Sequence, residues 1–452
     1  MKKIPFFSDR GMGAKAVIIC VLVLLFLIPL QLVKSLVRDR ERYRDEAVRS
    51  VLEPLGGQPV LEGFCVAVPY ETAEEIEKRD GTVVRQTVRR WIALFPKSHD
   101  MKADVAPYTL TRGIFEVPAF SCTAVSSGEF PSALPAAEKA QASSVLWQES
   151  LFCIGISNKK NITAPPIVRA NGTELALSAE PVHIPKFSSA LFFRLPGQSA
   201  KNGFSFSVTQ ELQGGKSLSV CPVAQANTFS VSSSWKSPSF HGGWLPTSRS
   251  VSGEGFSAEW KIPGFSTAVP EALYGADFSA DDWMAKTSSP PEAVSVSFVM
   301  PVDSYQKIMR SIKYAVLFLM IPFIALFVLE IFTAVRVHPV QYALIGLADV
   351  IFYLLLLAVS EHLPFFATYC LSTAVVCLLT LFYAAAIFRQ KKWGALFSSI
   401  QLILYIFLFG TLQTEDYALL IGTLGLLATV ALLMFLTRKV DWYAEKITED
   451  AE

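Results

Sequence analysis

Charge is what this sequence has least of for its length: Asp, Glu, Lys and Arg make up 17% of 452 residues, where a water-soluble chain carries about 25%. That deficit excludes an ordinary soluble protein, and a 52% hydrophobic composition with a mean hydropathy of +0.39 points to a lipid bilayer as partner. There is no basic excess either, with 40 Lys and Arg against 39 Asp and Glu. No basic cluster is interleaved with aromatics, so nucleic acid is not an expected partner. Histidine is sparse, at 99, 183, 241, 338 and 362, too few for a metal centre built mainly from imidazole. The chain also lacks a Walker-type phosphate loop, a His-Glu-x-x-His, a Gly-x-Ser-x-Gly and a Cys-x-x-Cys. An enzyme is therefore not expected, and the reading calls for no cofactor and no metal.

What is abundant is long apolar runs. A spanning helix needs about 20 mostly apolar residues, because in hydrocarbon every backbone N–H and C=O must be satisfied within the segment. Six stretches qualify: 16–33, 315–335, 340–360, 365–388, 393–412 and 417–437. The first is longer than the apolar part of a secretory signal, and Leu36-Val37-Arg38-Asp39 offers no small-residue cleavage site, so it is expected to stay as an anchor. Basic residues in short loops mark the cytoplasmic side. They are Lys2, Lys3, Arg10 and Lys15 before the first span, Arg336, then Arg389, Lys391 and Lys392, and finally Arg438, Lys439 and Lys446. The turns at Glu361-His362-Leu363 and 413–416 carry none. Both termini are thus predicted to be cytoplasmic, with 34–313 on the other side of the membrane. Lys34, Arg38, Arg40, Arg42, Arg44 and Arg49 oppose that orientation, but long translocated domains largely escape the rule, and Asp39, Glu41, Asp45 and Glu46 offset them.

The predicted organisation is a cytoplasmic N-terminus (1–15), a first span (16–33), a helical stalk (34–53), a periplasmic β-rich domain (54–313), five further spans (314–437) and a cytoplasmic tail (438–452). Alternating charges such as Arg42 with Glu46 and Asp45 with Arg49, four apart, support the stalk. Beyond Gly56-Gly57 the dominant period is two, the mark of half-buried strands. Phe204, Phe206 and Val208 alternate with polar residues, as do Leu218 and Val220 after Gly214-Gly215, which reads as a hairpin. Phe229 and Val231, and Val294, Val296, Phe298 and Met300, alternate likewise, and turns are expected at Asp80-Gly81 and Asn171-Gly172. Further β-favouring runs cover 83–95, 113–125 and 145–156, with 126–144 read as a loop excursion. The fold class is membrane α-helical, six transmembrane helices as one plus five, with a large all-β, sandwich-like domain.

Four cysteines, Cys65, Cys122, Cys153 and Cys221, fall in that domain and are candidates for disulfides; four permit three pairings, and Cys122 with Cys153 is favoured because both lie in consecutive strand-like runs. Cys20, Cys370 and Cys377 fall in spans. Ionisable groups at membrane depth are functional leads. Asp349 is the sharpest, near the middle of the third span with Gly346 one turn earlier. It suits either a proton or cation pathway or a hydrogen bond inside the bundle. Glu330 is expected to reach Arg336, and Arg336, His338, Glu361 and His362 cluster at loop mouths. Asn161-Ile-Thr163 and Asn171-Gly-Thr173 match a glycosylation acceptor pattern, a three-residue signal of little specificity.

The run from Glu330-Ile-Phe-Thr333 through Arg336-Val-His338-Pro339-Val-Gln341-Tyr342 to Gly346, followed by Phe352-Tyr353 and Ser360-Glu361-His362, resembles the CreD family of bacterial inner-membrane proteins. The ending Phe435-Leu-Thr437-Arg438-Lys-Val-Asp441-Trp442-Tyr443 and the run holding Trp235, Pro238, Leu245-Pro246, Gly255-Phe256 and Trp260 are similar to the same family. The resemblance implies a protein of cell-envelope integrity, produced under a two-component regulatory system, with no catalytic residues to carry over. The leading expectation is an envelope-maintenance protein whose β domain contacts an envelope lipid, glycan or protein. The alternatives are a transporter or lipid-handling protein with Asp349 in its pathway, and a membrane-anchored periplasmic enzyme.

Overall fold

The computed structural model describes residues 12–77, 83–179, 187–267, 269–275, 293–298, 304–333, 335–414 and 418–437. The chain divides into two compact units, Met1–Arg44 with Val302–Glu452, and Asp45–Pro301.

The first unit is helical. Helix α1 (Met12–Leu52) continues into the second unit, and its 41 residues join the first predicted span and the predicted stalk without a break, although Pro29 lies inside it. Two short helices of the second unit, α2 (Leu134–Lys139) and α3 (Gly197–Asn202), come next in the chain. An amphipathic helix, α4 (Ser304–Lys313), precedes α5 (Ala315–Thr333), α6 (Pro339–Ser360), α7 (Phe365–Phe388), α8 (Lys391–Gln413) and α9 (Ala418–Thr437). Five of the described helices, α1 and α5 to α8, are long and apolar enough to cross a membrane. Helix α9 occupies the sixth predicted segment with part of its side chains outside the described residues. Local chemistry sets the ends. Pro339 opens α6 at a position whose N–H no helix uses. The His338 Nδ1 accepts from Val340 N–H at 3.3 Å, and the Gln341 Oε1 accepts from His338 N–H at 2.9 Å. Arg389 closes α7 in the left-handed region at φ 54°.

The second unit is a β-sandwich. Its ten-stranded sheet holds β1 (Val60–Glu77), β2 (Val83–Leu94), β5 (Ser144–Val145), β6 (Leu151–Ile156), β9 (Leu177–Ser178), β10 (Ser189–Arg194), β12 (Ser217–Val220), β14 (Pro238–Gly242), β17 (Ala272–Leu273) and β18 (Val294–Phe298). The facing eight-stranded sheet runs β15 (Ser248–Ser252), β16 (Gly255–Pro263), β13 (Ala226–Ser233), β3 (Ser98–Arg112), β4 (Phe115–Phe130), β11 (Phe204–Gly215), β7 (Ile167–Ala170) and β8 (Thr173–Glu174). Side chains of period two from both sheets meet between them in two cores, one around Phe64, Phe152 and Phe206, the other around Phe120, Phe229 and Trp260. A third core, with Cys65, Cys153, Phe187 and Phe192, packs separately from these two. Residues alternate between it and the inner cores along β1 and β6, Cys65 and Cys153 in the third, Phe64, Val66, Phe152 and Ile154 between the sheets, which places it on the opposite face of the ten-stranded sheet.

Two strand expectations change. The Gly214-Gly215 turn does not close a hairpin: β11 pairs with β4 and β7, whereas β12 pairs with β1 and β18. The chain instead crosses from one sheet to the other at Lys216, φ 63°; alternation identifies a strand but not its partner. The stretch read as an excursion continues β4 to Phe130 and then forms α2. Asn171 and Gly172, at φ 48° and 81°, do form a two-residue hairpin turn between β7 and β8, the positive-φ pair that suits strand twist. Asp80-Gly81, Met300 and the tail basic residues lie outside the described residues.

Candidate functional site

Asp349 is buried in the middle of α6. A carboxyl at membrane depth needs polar partners from neighbouring helices, and α8 supplies them one turn apart. The Gln401 Nε2 donates to Asp349 Oδ1 at 2.6 Å, and the Tyr405 hydroxyl donates to the same oxygen at 3.1 Å. Helix α7 completes the network: the Thr380 hydroxyl donates to Gln401 Oε1 at 2.6 Å, and the Tyr369 hydroxyl to the Tyr405 carbonyl at 2.6 Å. Phe352 stacks on Tyr405 with ring centroids 4.4 Å apart and closes the apolar side. Asp349 Oδ2 and the hydroxyls of Tyr353, Ser372 and Thr373 are buried without a hydrogen-bond partner among the described residues.

Two further clusters tie α1 to the bundle. Lys15 bonds Glu330, which also accepts from Val337 N–H at 3.1 Å and the Tyr342 hydroxyl at 3.0 Å. Glu330 therefore does not reach Arg336, which is exposed; a chain neighbour six residues away lost to a lysine 315 residues away. At the other end, the Arg40 Nε lies 3.5 Å from Glu361 and the Tyr305 hydroxyl donates to Glu361 at 3.2 Å. Burial and the Glu361 charge push Tyr305 up to about 12, so it stays a donor. Lys15 and Arg40 are 25 residues apart on one helix, roughly 37 Å at 1.5 Å per residue. That spacing places one cluster at each edge of a hydrocarbon layer about 30 Å thick. Between them Gly346 lets α6 approach α1 and α5: a Cβ there would stand 2.7 Å from Phe323 and 2.8 Å from Phe26. His362 is exposed in the α6–α7 turn, and His338 serves as the α6 cap.

In the β unit His99 is buried between Phe64 and Phe229, with its Nε2 3.1 Å from the Ser126 hydroxyl. Burial alone lowers it to about 3, so it is neutral at ordinary pH. His241 is exposed on β14, and His183 lies outside the described residues. Asn161 is buried and donates to the Leu55 and Gln213 carbonyls at 2.9 and 3.1 Å, which makes it a structural residue rather than an acceptor for sugar. Cys122 faces the core between the sheets while Cys153 sits in the third core, so the favoured pairing of these two is not what the fold brings together. Cys153 stands opposite Cys65 across β1 and β6. Among the described residues no group of three or more His, Cys, Asp and Glu side chains could hold a metal ion.

A family profile described as "Inner membrane protein CreD" matches residues 11–443. The chain belongs to the CreD family. A CreD protein of Escherichia coli (strain K12), described as "Inner membrane protein CreD", is 30% identical over 426 residues, which cover 93% of this chain and 92% of its own. Two solved structures of an M1 zinc metallopeptidase from Deinococcus radiodurans overlay 45% of the chain on 42% of theirs at 8% identity and TM-scores of 0.21 and 0.20; a likeness that slight carries no argument.

The run that carried the CreD resemblance supplies one polar cluster of the helical unit, the α6 cap and a close helix approach. Glu330 holds both Lys15 and the Tyr342 hydroxyl, His338 and Gln341 cap α6, and Gly346 admits Phe26 and Phe323. Sequence reading found Asp349 but missed Gln401, Tyr405 and Thr380. The signal was there: Gln401 interrupts an apolar span, and Tyr405 follows it at the helical interval of four.

Proposed function

We propose that this CreD-family protein supports cell-envelope integrity without catalysis, by presenting its β unit in the periplasm to an envelope lipid, glycan or protein. The observation that carries this reading is the charge of the helical unit's two ends. The α5–α6 and α7–α8 turns carry Arg336, Arg389 and Lys391, while the 361–364 turn has no Lys or Arg. The chain departs toward the β unit beside Glu361, where Arg40 lies, and returns there at Tyr305. Both connections thus sit at the end lacking basic turns, the end that the positive-inside rule assigns to the periplasm. Control by a two-component system is proposed on the family resemblance alone.

The test is a deletion strain scored for outer permeability, detergent sensitivity and cell shape. Sensitivity should rise, and return to normal with the full chain but not with a chain lacking 55–298. A deletion strain indistinguishable from its parent would overturn the proposal. One observation favours a second reading, transport or lipid handling: Asp349 Oδ2 is buried without a hydrogen-bond partner among the described residues. Complementation that fails for Asp349→Asn in a properly folded protein would select it.

A further inference from the structure

Sequence separates Cys65 and Cys153 by 88 residues (153 − 65), but the fold makes them direct neighbours. They are opposite each other in the antiparallel register of β1 and β6. Directly opposed residues of such a pair have Cα atoms about 4.5–5.5 Å apart, inside the range of roughly 4.4–6.8 Å that a disulfide spans. The Cys65 thiol lies in hydrogen-bonding reach of the Cys153 sulfur. Both are 0% exposed, in a core of Ala67, Ala93, Phe187 and Phe192. Small alanines beside the pair leave the sulfurs free to adjust. Cys221 shares that core but lies on β1's other flank, its N–H bonded to the Leu61 carbonyl.

We propose that Cys65 and Cys153 are joined by a disulfide in the mature protein, a cross-strand staple between the two strands at the centre of the ten-stranded sheet. The inference rests on the periplasmic reading above, because structural disulfides persist in oxidising compartments. The oxidant is a disulfide-bearing thiol oxidant. Its S–S bond breaks as the Cys65–Cys153 bond forms, and the two protons and two electrons leaving the cysteines convert it to a dithiol. Burial and the neighbouring sulfur raise the Cys65 thiol well above its ordinary range, which slows exchange in the folded sheet. The bond therefore forms while β1 and β6 are assembling, and once they close, the overlying core shields it from reductants.

The experiment uses the full chain in its native membrane. Cells are acid-quenched, the protein is denatured, and free thiols are tagged with a polyethylene-glycol maleimide before or after reduction. With seven cysteines, five should tag before reduction and seven after. Cys65→Ser and Cys153→Ser should each tag six times under both conditions, while Cys122→Ser and Cys221→Ser should each go from four to six. Wild-type protein that tags seven times without reduction overturns the proposal, and so does a Cys65→Ser protein that still hides two thiols. Alkaline phosphatase fused after Ser232 reports the compartment separately. An active fusion with seven reactive thiols removes the staple and leaves the periplasmic reading standing; an inactive fusion removes both.

Discussion

Asp349 receives both of its hydrogen bonds through one oxygen, and this makes its two simplest substitutions diagnostic. Asn keeps that oxygen and its shape, so Asp349→Asn should stay within about 1 kcal/mol of the parent in detergent unfolding, while Asp349→Ala strands Gln401 and Tyr405 and should cost about 1–3 kcal/mol. Equal losses for the two would contradict the hydrogen-bonding role. His99 makes a pH prediction. Its folded value of about 3 lies below the ordinary 6.5, so the unfolded chain binds the extra proton as pH falls between those values. Stability is then present above about 6.5 and is lost toward 3, with a slope approaching about 1.4 kcal/mol per pH unit. Comparing unfolding midpoints of the parent and His99→Gln at pH 7, 6 and 5 should show the difference between them shrinking as pH drops. A constant difference would remove His99 as the cause.

Helix α1 is held to the bundle by two ion pairs, at Lys15 and at Arg40, and a close aromatic approach between them. Among the described residues, removing Lys15 leaves Glu330 with Tyr342 and a backbone N–H, so Lys15→Ala should cost about 1–3 kcal/mol and Glu330→Gln less. A double-mutant cycle with coupling near zero would show the pair to be incidental. Gly346→Val should lower the yield of folded protein in membranes, because its side chain would collide with Phe26 and Phe323; unchanged yield and unfolding midpoint would count against the packing. The elements themselves were legible in the sequence because each obeys a local rule: apolar runs of spanning length, strands of period two, a turn at Asn171-Gly172. Partners were not. Gly214-Gly215 carries the same glycines whether the chain turns back or crosses to the facing sheet, and β12 chose β1, 157 residues earlier (217 − 60), over its neighbour β11. Glu330 likewise found Lys15 rather than Arg336, since nothing local encodes which helix will lie beside it.

For the molecule as a whole, the reading of sidedness makes a labelling prediction. A membrane-impermeant maleimide added to intact spheroplasts should modify an exposed cysteine placed at Ser250 on β15 and leave one placed at Arg336 untouched until the membrane is opened; the reverse pattern would invert the orientation. Composition told that two solvents act on the chain, and loop charge is what the proposed sidedness rests on. The chemistry of the proposed envelope partner was not legible, because recognition by a sandwich depends on surfaces assembled from strands far apart in sequence.

The place of β1 has a kinetic consequence. It is the first strand to be synthesised, yet it lies inside the sheet with β12 along one flank, and β12 in turn waits for β18. A ribosome adding about 5–20 residues each second needs on the order of 8–30 s to go from Val60 to Val220. Over that interval β2 already covers Val66–Glu77 on that flank, but the apolar start of the strand, Val60 and Leu61, has no permanent neighbour there, the state in which chains associate wrongly. Biogenesis of this protein should therefore lean on holding factors in whichever compartment receives the sandwich, and their depletion should harm it before it harms proteins whose early strands are covered along their whole length by the next one out.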